Sequence, residues 1–236
     1  MVNYAALALK SKMNPDVKSR LKDRLRQNQI AKELLWKQAR TSKVDADRQH
    51  KIVEVVAQNI PGFFPTPQPL AYAMVGDACI DHGMRCADLS AGTGNIAREI
   101  RAMGVEPVCV EINRSLWEIL VKEFPDAICG NSLEDDWRHQ EGMELFDRIV
   151  VNPPFENHQD AEHIQHAFEL LAPRGILVAI ASEHSWFASH KEDREFIHWF
   201  NMLGGQSEKL PAGTFLSSQR PTGVNTRLIT LQRLGE

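Results

Sequence analysis

Asn152, Pro153, Pro154 and Phe155 directly follow a short run of β-branched residues, Ile149 to Val151. Such a run is typical of a buried parallel strand, and two prolines end it because proline donates no hydrogen bond to a sheet. The motif therefore follows the carboxyl end of a strand, where open α/β sheets bind ligands. The Asn152 side-chain oxygen and the Pro153 carbonyl are two acceptors, and Phe155 adds a flat aromatic face. This set suits a planar heterocycle with an exocyclic amino group, such as the N6 amine of adenine.

A glycine-rich turn lies upstream of this motif, in the sequence Cys-Ala-Asp-Leu-Ser-Ala-Gly-Thr-Gly-Asn-Ile of residues 86–96. It reads as a strand, a turn and a helix start. Gly92 and Gly94 allow positive φ angles and a close approach of the backbone to a ligand. The third glycine of the dinucleotide-binding fingerprint is absent. Glu111 ends the next apolar run, Val108 to Val110, where an acidic residue is placed to accept hydrogen bonds from ribose hydroxyls.

The glycine turn, the acid and the Asn-Pro-Pro-Phe motif, in this order, resemble the class I S-adenosylmethionine-dependent methyltransferases. The resemblance is to the amino-methylating branch, which includes the DNA adenine-N6 methyltransferases, and it covers about residues 61–232. It implies a Rossmann-like α/β fold with a mostly parallel seven-stranded sheet and an antiparallel last strand. It also implies S-adenosyl-L-methionine as the cofactor and chemistry that needs no metal.

The same resemblance implies which residues form the site. It assigns catalysis to Asn152, Pro153, Pro154 and Phe155. An aromatic-x-Thr-Pro element that contacts the methionine end of the cofactor is matched by residues 64–67. Asn131 stands where related enzymes commonly place Asp to accept from the cofactor's adenine amine, so it would accept without the charge. The predicted cofactor-binding residues are Phe64, Thr66, Pro67, Asp88, Ser90, Ala91, Gly92, Gly94, Glu111, Ile112, Asn131, Ser132 and Asn152.

Two further groups of side chains allow more than one interpretation. Trp186 follows a predicted fifth strand, Gly175 to Ala181, and would form a second wall of a base pocket opposite Phe155. Alternatively, it packs against the next helix. His163 and His166 have the spacing of one helix face, but no glutamate completes a recognised zinc pattern around them, so we predict no metal site.

Charge divides the chain into two parts. Residues 1–60 carry 13 basic and 6 acidic residues, a net charge of +7, whereas the remainder carries 14 and 25, a net charge of −11. Apolar spacing predicts two helices in the first part, which gives a basic helical extension at 1–60 and a methyltransferase domain at 61–236. The basic side chains predicted to bind nucleic acid are Lys18, Arg20, Lys22, Arg24 and Arg26. The alternatives are a solvated basic helix face and an arm that packs on the domain or on a second copy of the chain.

Composition excludes several classes of protein. No apolar run approaches the roughly 20 residues that span a bilayer, and the first residues do not read as a signal peptide. The four cysteines are widely spaced, and three lie on or beside apolar runs, which is typical of buried thiols in a reducing compartment. We therefore predict a cytoplasmic protein without a membrane partner. The sequence does not indicate its oligomeric state.

The reaction predicted from these motifs is methyl transfer from S-adenosylmethionine to an exocyclic amine, N6 of adenine in DNA, after the base is flipped out of the stack. One alternative keeps the cofactor and changes the acceptor to an RNA base or a protein glutamine. Phe155 counts against glutamine, because tyrosine is more usual at that position in the glutamine enzymes. Another alternative is a catalytically idle nucleic-acid-binding module, against which the intact motifs argue.

Overall fold

The computed structural model describes residues 51–52, 60, 62–134, 144–156, 159–186, 190–217 and 225–235. Most of the predicted basic extension, including Lys18, Arg20, Lys22, Arg24 and Arg26, lies outside these described residues. Lys51 and Ile52 are helical, as the sequence predicts for that region.

A seven-stranded sheet forms the centre of the described residues. The strands are β1 (Cys86–Asp88), β2 (Val108–Glu111), β3 (Ile128–Cys129), β4 (Phe146–Val151), β5 (Leu171–Ser182), β6 (Gln206–Lys209) and β7 (Thr226–Gln232). They lie in the order β3-β2-β1-β4-β5-β7-β6. All neighbouring pairs are parallel except those of β7, which runs antiparallel to both β5 and β6. This arrangement confirms the predicted Rossmann-like sheet with an antiparallel last strand.

Helices cover both faces of the sheet because alternate strand residues point to opposite sides. The helices are α1 (Gln68–Ala78), α2 (Asn95–Ala102), α3 (Arg114–Leu120), α4 (Gln159–Glu169) and α5 (Lys191–Met202). In β4, Ile149 and Val151 pack in one core cluster with α4 and α5, while Val150 packs in the other with α1 and α2. None of the described helices has the length and apolar character needed to cross a membrane.

The fifth strand begins earlier than the sequence predicts. β5 starts at Leu171, which pairs with Phe146, whereas the prediction begins at Gly175. The strand is irregular near Pro173 and Gly175. Arg174 has a φ of 65°, and the pairing register between β4 and β5 shifts between Phe146 and Arg148. Hydrogen bonding to β4 nevertheless continues across this irregularity, because the bulge is absorbed within the strand.

The cysteines only partly match the predicted pattern of buried thiols. All four are free, and Cys86 and Cys109 are buried, but Cys79 is half-buried and Cys129 is exposed. Cys129 ends the edge strand β3. The cytoplasmic location stays a prediction.

Candidate active site

A cavity of about 540 Å³ opens at the carboxyl ends of β1 to β4, within the range of about 300–1,000 Å³ typical of cofactor sites. Most of the predicted site residues line this cavity. They are Phe64, Thr66, Asp88, Ser90, Ala91, Gly92, Glu111, Ile112, Asn131, Ser132, Asn152 and Pro154. Pro67, Gly94, Pro153, Phe155 and Trp186 are not among its lining residues.

The two glycines of the turn have different surroundings. Gly92 has a φ of 53°, and a β-carbon added there would lie 2.9 Å from the ring of Phe63. Gly94 has a φ of 84° and precedes α2, and a β-carbon there would meet Leu120 and Phe124 at 3.0 and 3.1 Å. Gly92 therefore shapes the cavity wall itself, whereas Gly94 allows the turn to pack against the core.

Glu111 holds the glycine turn against the end of β2. Its buried carboxylate accepts a hydrogen bond of 2.7 Å from the Gly92 backbone N–H through Oε2 and another of 2.7 Å from the Asn113 N–H through Oε1. Burial raises the pKa of Glu111, and these backbone donors oppose that rise. Each carboxylate oxygen has a second acceptor site, so the side chain can still accept from a ligand in the cavity.

Asp88 is the second acid of the cavity wall and is 1 % exposed. One oxygen, Oδ1, accepts from the Ser90 N–H at 3.4 Å, and the other, Oδ2, has no hydrogen-bond partner in the described part of the chain. Burial raises the pKa of Asp88 to about 8, and the charge of Glu111 adds to this rise, whereas the backbone N–H groups of Ser90 and, more weakly, Ala97 oppose it. A buried acceptor without a partner is costly unless a ligand supplies a donor or a positive charge.

Asn152 has its amide group fixed by the strap of residues 64–66. Its Nδ2 donates to the Phe64 carbonyl at 2.9 Å and to Thr66 Oγ1 at 3.0 Å. The Phe64 carbonyl can only accept, so the amide orientation follows from the hydrogen bonds. The other amide atom, Oδ1, is buried and has no partner among the residues described. The strap itself is held by Asn95, whose Nδ2 donates to the Thr66 carbonyl at 2.8 Å.

Asn131 and Ser132 lie beyond the end of β3. Asn131 Oδ1 accepts from the Leu133 N–H at 3.1 Å, and its Nδ2 donates to Glu134 at 3.0 Å, so its amide caps a local turn. Ser132 Oγ lies 3.3 Å from Nδ1 of His163, another cavity residue. Burial, with a smaller contribution from His166, lowers the pKa of His163 to about 4, which leaves its ring neutral at physiological pH.

Phe155 packs between two other aromatic rings. It stacks on Phe64 with centroids 5.9 Å apart and an interplanar angle of 17°, and it meets Phe215 edge-on at 6.2 Å. Of these three rings, Phe64 lines the cavity.

Trp186 lies away from the cavity wall. It packs against Phe196 and Phe200 of α5, with ring centroids 5.8 and 5.4 Å away. This placement matches the alternative interpretation, in which the tryptophan packs against the following helix.

Several cavity residues are missing from the sequence-based set, among them Ile60, Phe63, Asn95, Gln159 and His163. The signal for Asn95 was present, since a polar residue directly after a glycine turn occupies the first turn of a helix. No local pattern identifies His163, because helix packing alone brings it to Ser132. Within the described ranges, no three His, Cys, Asp or Glu side chains group in a way that would hold a metal ion.

Comparison with known proteins places the chain in a family. The model of the methyltransferase small domain matches residues 74–194, which is 121 of the 236 residues. No curated protein sequence shows significant similarity to the chain.

Solved structures share the fold at low identity. The M protein of the type I restriction enzyme EcoKI superposes with a TM-score of 0.59 at 16% identity, over 74% of this chain and 44% of its own. TomG from Streptomyces achromogenes, an O-methyltransferase of tomaymycin synthesis solved with SAM, gives 0.58 at 16% identity, over 82% and 91%. TrmN from Thermus thermophilus gives 0.50 at 18% identity, over 71% and 49%.

The chain spans less than half of the length of the EcoKI M protein and of TrmN. At these identities the superpositions show the fold alone, whereas the family model covers more than half of the sequence. The fold, the cavity at the carboxyl ends of the strands and the family match agree, and they support the predicted cofactor, S-adenosyl-L-methionine. The chain belongs to the methyltransferase small domain family and has the Rossmann-like fold of class I methyltransferases.

Proposed function

We propose that this protein transfers a methyl group from S-adenosylmethionine to an exocyclic amine, N6 of adenine in DNA. The observation that carries the proposal is the state of Asn152. Both hydrogens of its amide are used to fix its orientation, and its oxygen is a buried acceptor without a partner in the part of the chain that the structure describes. Such an acceptor is suited to an amino group of a substrate, because no described residue satisfies it and a donor from a substrate would.

The residues of the cavity fit the proposed cofactor. The sulfonium of S-adenosylmethionine supplies an activated methyl group when it is bound. Asp88 Oδ2 is an unpartnered buried acceptor among the described residues and would accept from the α-ammonium group of the cofactor, and Glu111 keeps acceptor sites for the ribose hydroxyls. The absence of a side chain at Gly92 lets the backbone of the turn approach the ligand, and a side chain there would collide with Phe63. The set is acidic, as a cation requires.

Asn152 would act on the amine rather than on the cofactor. The lone pair of an adenine amine is delocalised into the ring, which makes the nitrogen a poor nucleophile. Hydrogen bonds to Asn152 Oδ1 and to the Pro153 carbonyl would draw the amine hydrogens out of the ring plane and free that lone pair. Because Asn152 is held at two points, it would also place the nitrogen in line with the methyl group. The proton can leave after transfer, so the proposal needs no strong base.

The aromatic cluster would form the wall against which the base packs. A base in a duplex cannot enter a cavity of this kind while stacked, so it must be flipped out. Phe64 lines the cavity, and Phe155, which is not among the lining residues, stacks on Phe64. In this proposal Phe155 contacts the flipped base beside Phe64.

DNA as the substrate rests on the Asn-Pro-Pro-Phe motif and on the basic character of residues 1–60. Residues 61–236 carry a net charge of −11, so the proposed phosphate contacts are in the extension, at Lys18, Arg20, Lys22, Arg24 and Arg26. The fold shared with the M protein of a restriction enzyme agrees with this substrate.

Methyl transfer to different acceptors tests the proposal. The purified chain is incubated with methyl-labelled S-adenosylmethionine and, separately, with duplex DNA, RNA and a glutamine-containing peptide. We expect label in DNA, recovered as N6-methyladenine after digestion to nucleosides. Label in RNA alone or in the peptide alone would mean that DNA is not the acceptor and that RNA or protein is. Binding of DNA without any methyl transfer would favour an idle binding module.

A further inference from the structure

The chain upstream of residue 61 contributes to the cofactor cavity, although the sequence places the domain boundary there. Ile60 lines the cavity together with Phe63. Ile52 is 2 % exposed and packs in a small apolar cluster with Leu116 and Ile119 of α3. Ile60 and Phe63 pack against the same cluster, which therefore joins the chain on both sides of the predicted boundary to one helix of the domain.

Phe63 connects this cluster to the glycine turn. Its ring covers Gly92 so closely that a β-carbon at that glycine would lie 2.9 Å from it. Gly92 in turn donates to Glu111, the acid proposed to hold the ribose. Leu116 touches both systems, since it lines the cavity and belongs to the Ile52 cluster.

Ile52 does not line the cavity. Three residues of its cluster do line it, namely Leu116, Ile60 and Phe63. The adjacent contact is polar and exposed. Lys51 Nζ lies 3.9 Å from a carboxylate oxygen of Glu118, with both side chains more than a third exposed. Such an exposed ion pair contributes little to stability. Burial of Ile52 is therefore the main attachment that the structure describes between this part of the chain and α3.

We propose that Ile52 is a positioning residue for the cofactor cavity, and that Ile60, Gly62 and Phe63 form the roof that it holds in place. The inference rests on the proposed function, because the ligand beneath this roof is the cofactor. The methyltransferase unit then begins before residue 52 and not at residue 61. Docking of the roof on α3 and binding of the cofactor stabilise each other, since a ligand that contacts only the docked form shifts the chain toward it.

The affinity of the full chain for S-adenosylmethionine, measured by calorimetric titration, tests this coupling. Ile52→Ala removes the anchor without touching the cavity wall, and we expect Kd to rise about tenfold, within the range of about 5–150-fold typical of coupled sites. Ile229→Ala is the matched control. Ile229 is fully buried on β7, and β5 separates it from β4, the nearest strand at the cavity. Its Kd should stay within about twofold of wild type.

Hydrogen exchange separates a positioning role from a merely structural one. The Phe63 N–H donates to the Ile60 carbonyl at 3.3 Å, so exchange at Phe63 reports the closed roof. S-adenosylmethionine should slow this exchange in the wild type and much less in Ile52→Ala. If Ile52→Ala does not fold, Ile52→Val and Ile229→Val make the same comparison with smaller cavities.

Two outcomes of these measurements have different meanings. A wild-type chain that does not bind S-adenosylmethionine overturns the proposed function. The wild-type chain could instead bind S-adenosylmethionine while the Ile52 variant shows the same Kd and the same protection at Phe63. That result overturns only the proposal that Ile52 holds the roof in place.

Discussion

The two walls of the cavity hold their polar groups in different ways. On the glycine-turn wall, the acceptors are the carboxylates of Asp88 and Glu111, both buried and both with raised pKa values. On the second wall, which follows the end of β4, the acceptor is the neutral amide of Asn152, fixed by two hydrogen bonds through its nitrogen. The first wall thus carries carboxylates whose ionised form burial disfavours. The second wall carries a neutral amide whose orientation is fixed.

The difference follows from the groups that each wall is proposed to meet. A cationic cofactor compensates the cost of burying a carboxylate, so acids are suited to the first wall. An amine that must expose its lone pair needs an acceptor for its hydrogens, and a neutral amide provides this without a buried charge. The comparison predicts that variants of the second wall impair the reaction, while variants of the first wall impair cofactor binding.

Asn152→Ala should have the largest effect. It removes the positioned acceptor, and loss of one such group costs about 10²–10³-fold in rate. Single-turnover transfer from labelled S-adenosylmethionine to adenine-containing DNA measures this, and the Kd for the cofactor should change far less. Asn152→Asp is the matched control, because it keeps an oxygen in place of Oδ1 but presents a second oxygen to the Phe64 carbonyl. Wild-type rates in Asn152→Ala would refute the division between the walls.

Asp88→Asn tests the charged wall. We expect the Kd for S-adenosylmethionine to rise about 10–100-fold, because a hydrogen bond to a charged group contributes about 1.5–3 kcal/mol. The transfer rate at saturating cofactor should fall much less. Calorimetric titration gives Kd, and an Asp88→Asn protein that binds as tightly as wild type would remove Asp88 from the cofactor site.

The pKa of Asp88 predicts a pH dependence that the other wall lacks. The pKa in the folded protein is about 8, so the carboxyl group is mostly protonated at pH 6 to 7. A cationic ligand favours the ionised form, so binding should release a proton and the affinity should rise with pH up to about 8, by at most tenfold per pH unit. Titrations in buffers of different ionisation enthalpy count the protons released. In Asp88→Asn this dependence should disappear.

Gly94→Ala separates the shape of the turn from contact with the cofactor. Its φ of 84° and the nearby Leu120 and Phe124 make any side chain unfavourable. We expect a loss of about 1–3 kcal/mol in the free energy of unfolding, measured with denaturant. At temperatures where the variant is folded, its Kd should remain close to wild type. Gly92→Ala should instead displace Phe63 and weaken cofactor binding, and a reversed pattern would contradict the assignment of the two glycines.

Thr66→Val should have the smallest effect. It removes one of the two contacts that orient Asn152 and leaves the Phe64 carbonyl in place. The loss of one hydrogen bond of about 0.5–1.5 kcal/mol predicts a rate lower by about 2–10-fold. The same single-turnover assay measures this. A decrease as large as that of Asn152→Ala would mean that Thr66 acts on more than the amide orientation.

The sequence by itself determined those features whose residues are adjacent in the chain. The β-branched run before Asn152, the acid at the end of β2 and the glycines at positive φ depend on local geometry, and the structure has them where the pattern places them. The parallel sheet followed from these elements together with the family resemblance. The roles of the basic residues before residue 50 stay predictions.

Only the tertiary structure decided which groups meet. Asn152 is oriented by donating a hydrogen bond to the carbonyl of Phe64, 88 residues away, and no local pattern specifies such a contact. Phe155 stacks on the same strap, Trp186 turns toward α5, and Ile52 reaches α3 across the predicted boundary. Spacing in the chain tells which edge of the sheet a residue occupies. The direction and partners of its side chain depend on how distant elements pack, because close packing leaves each side chain few allowed positions.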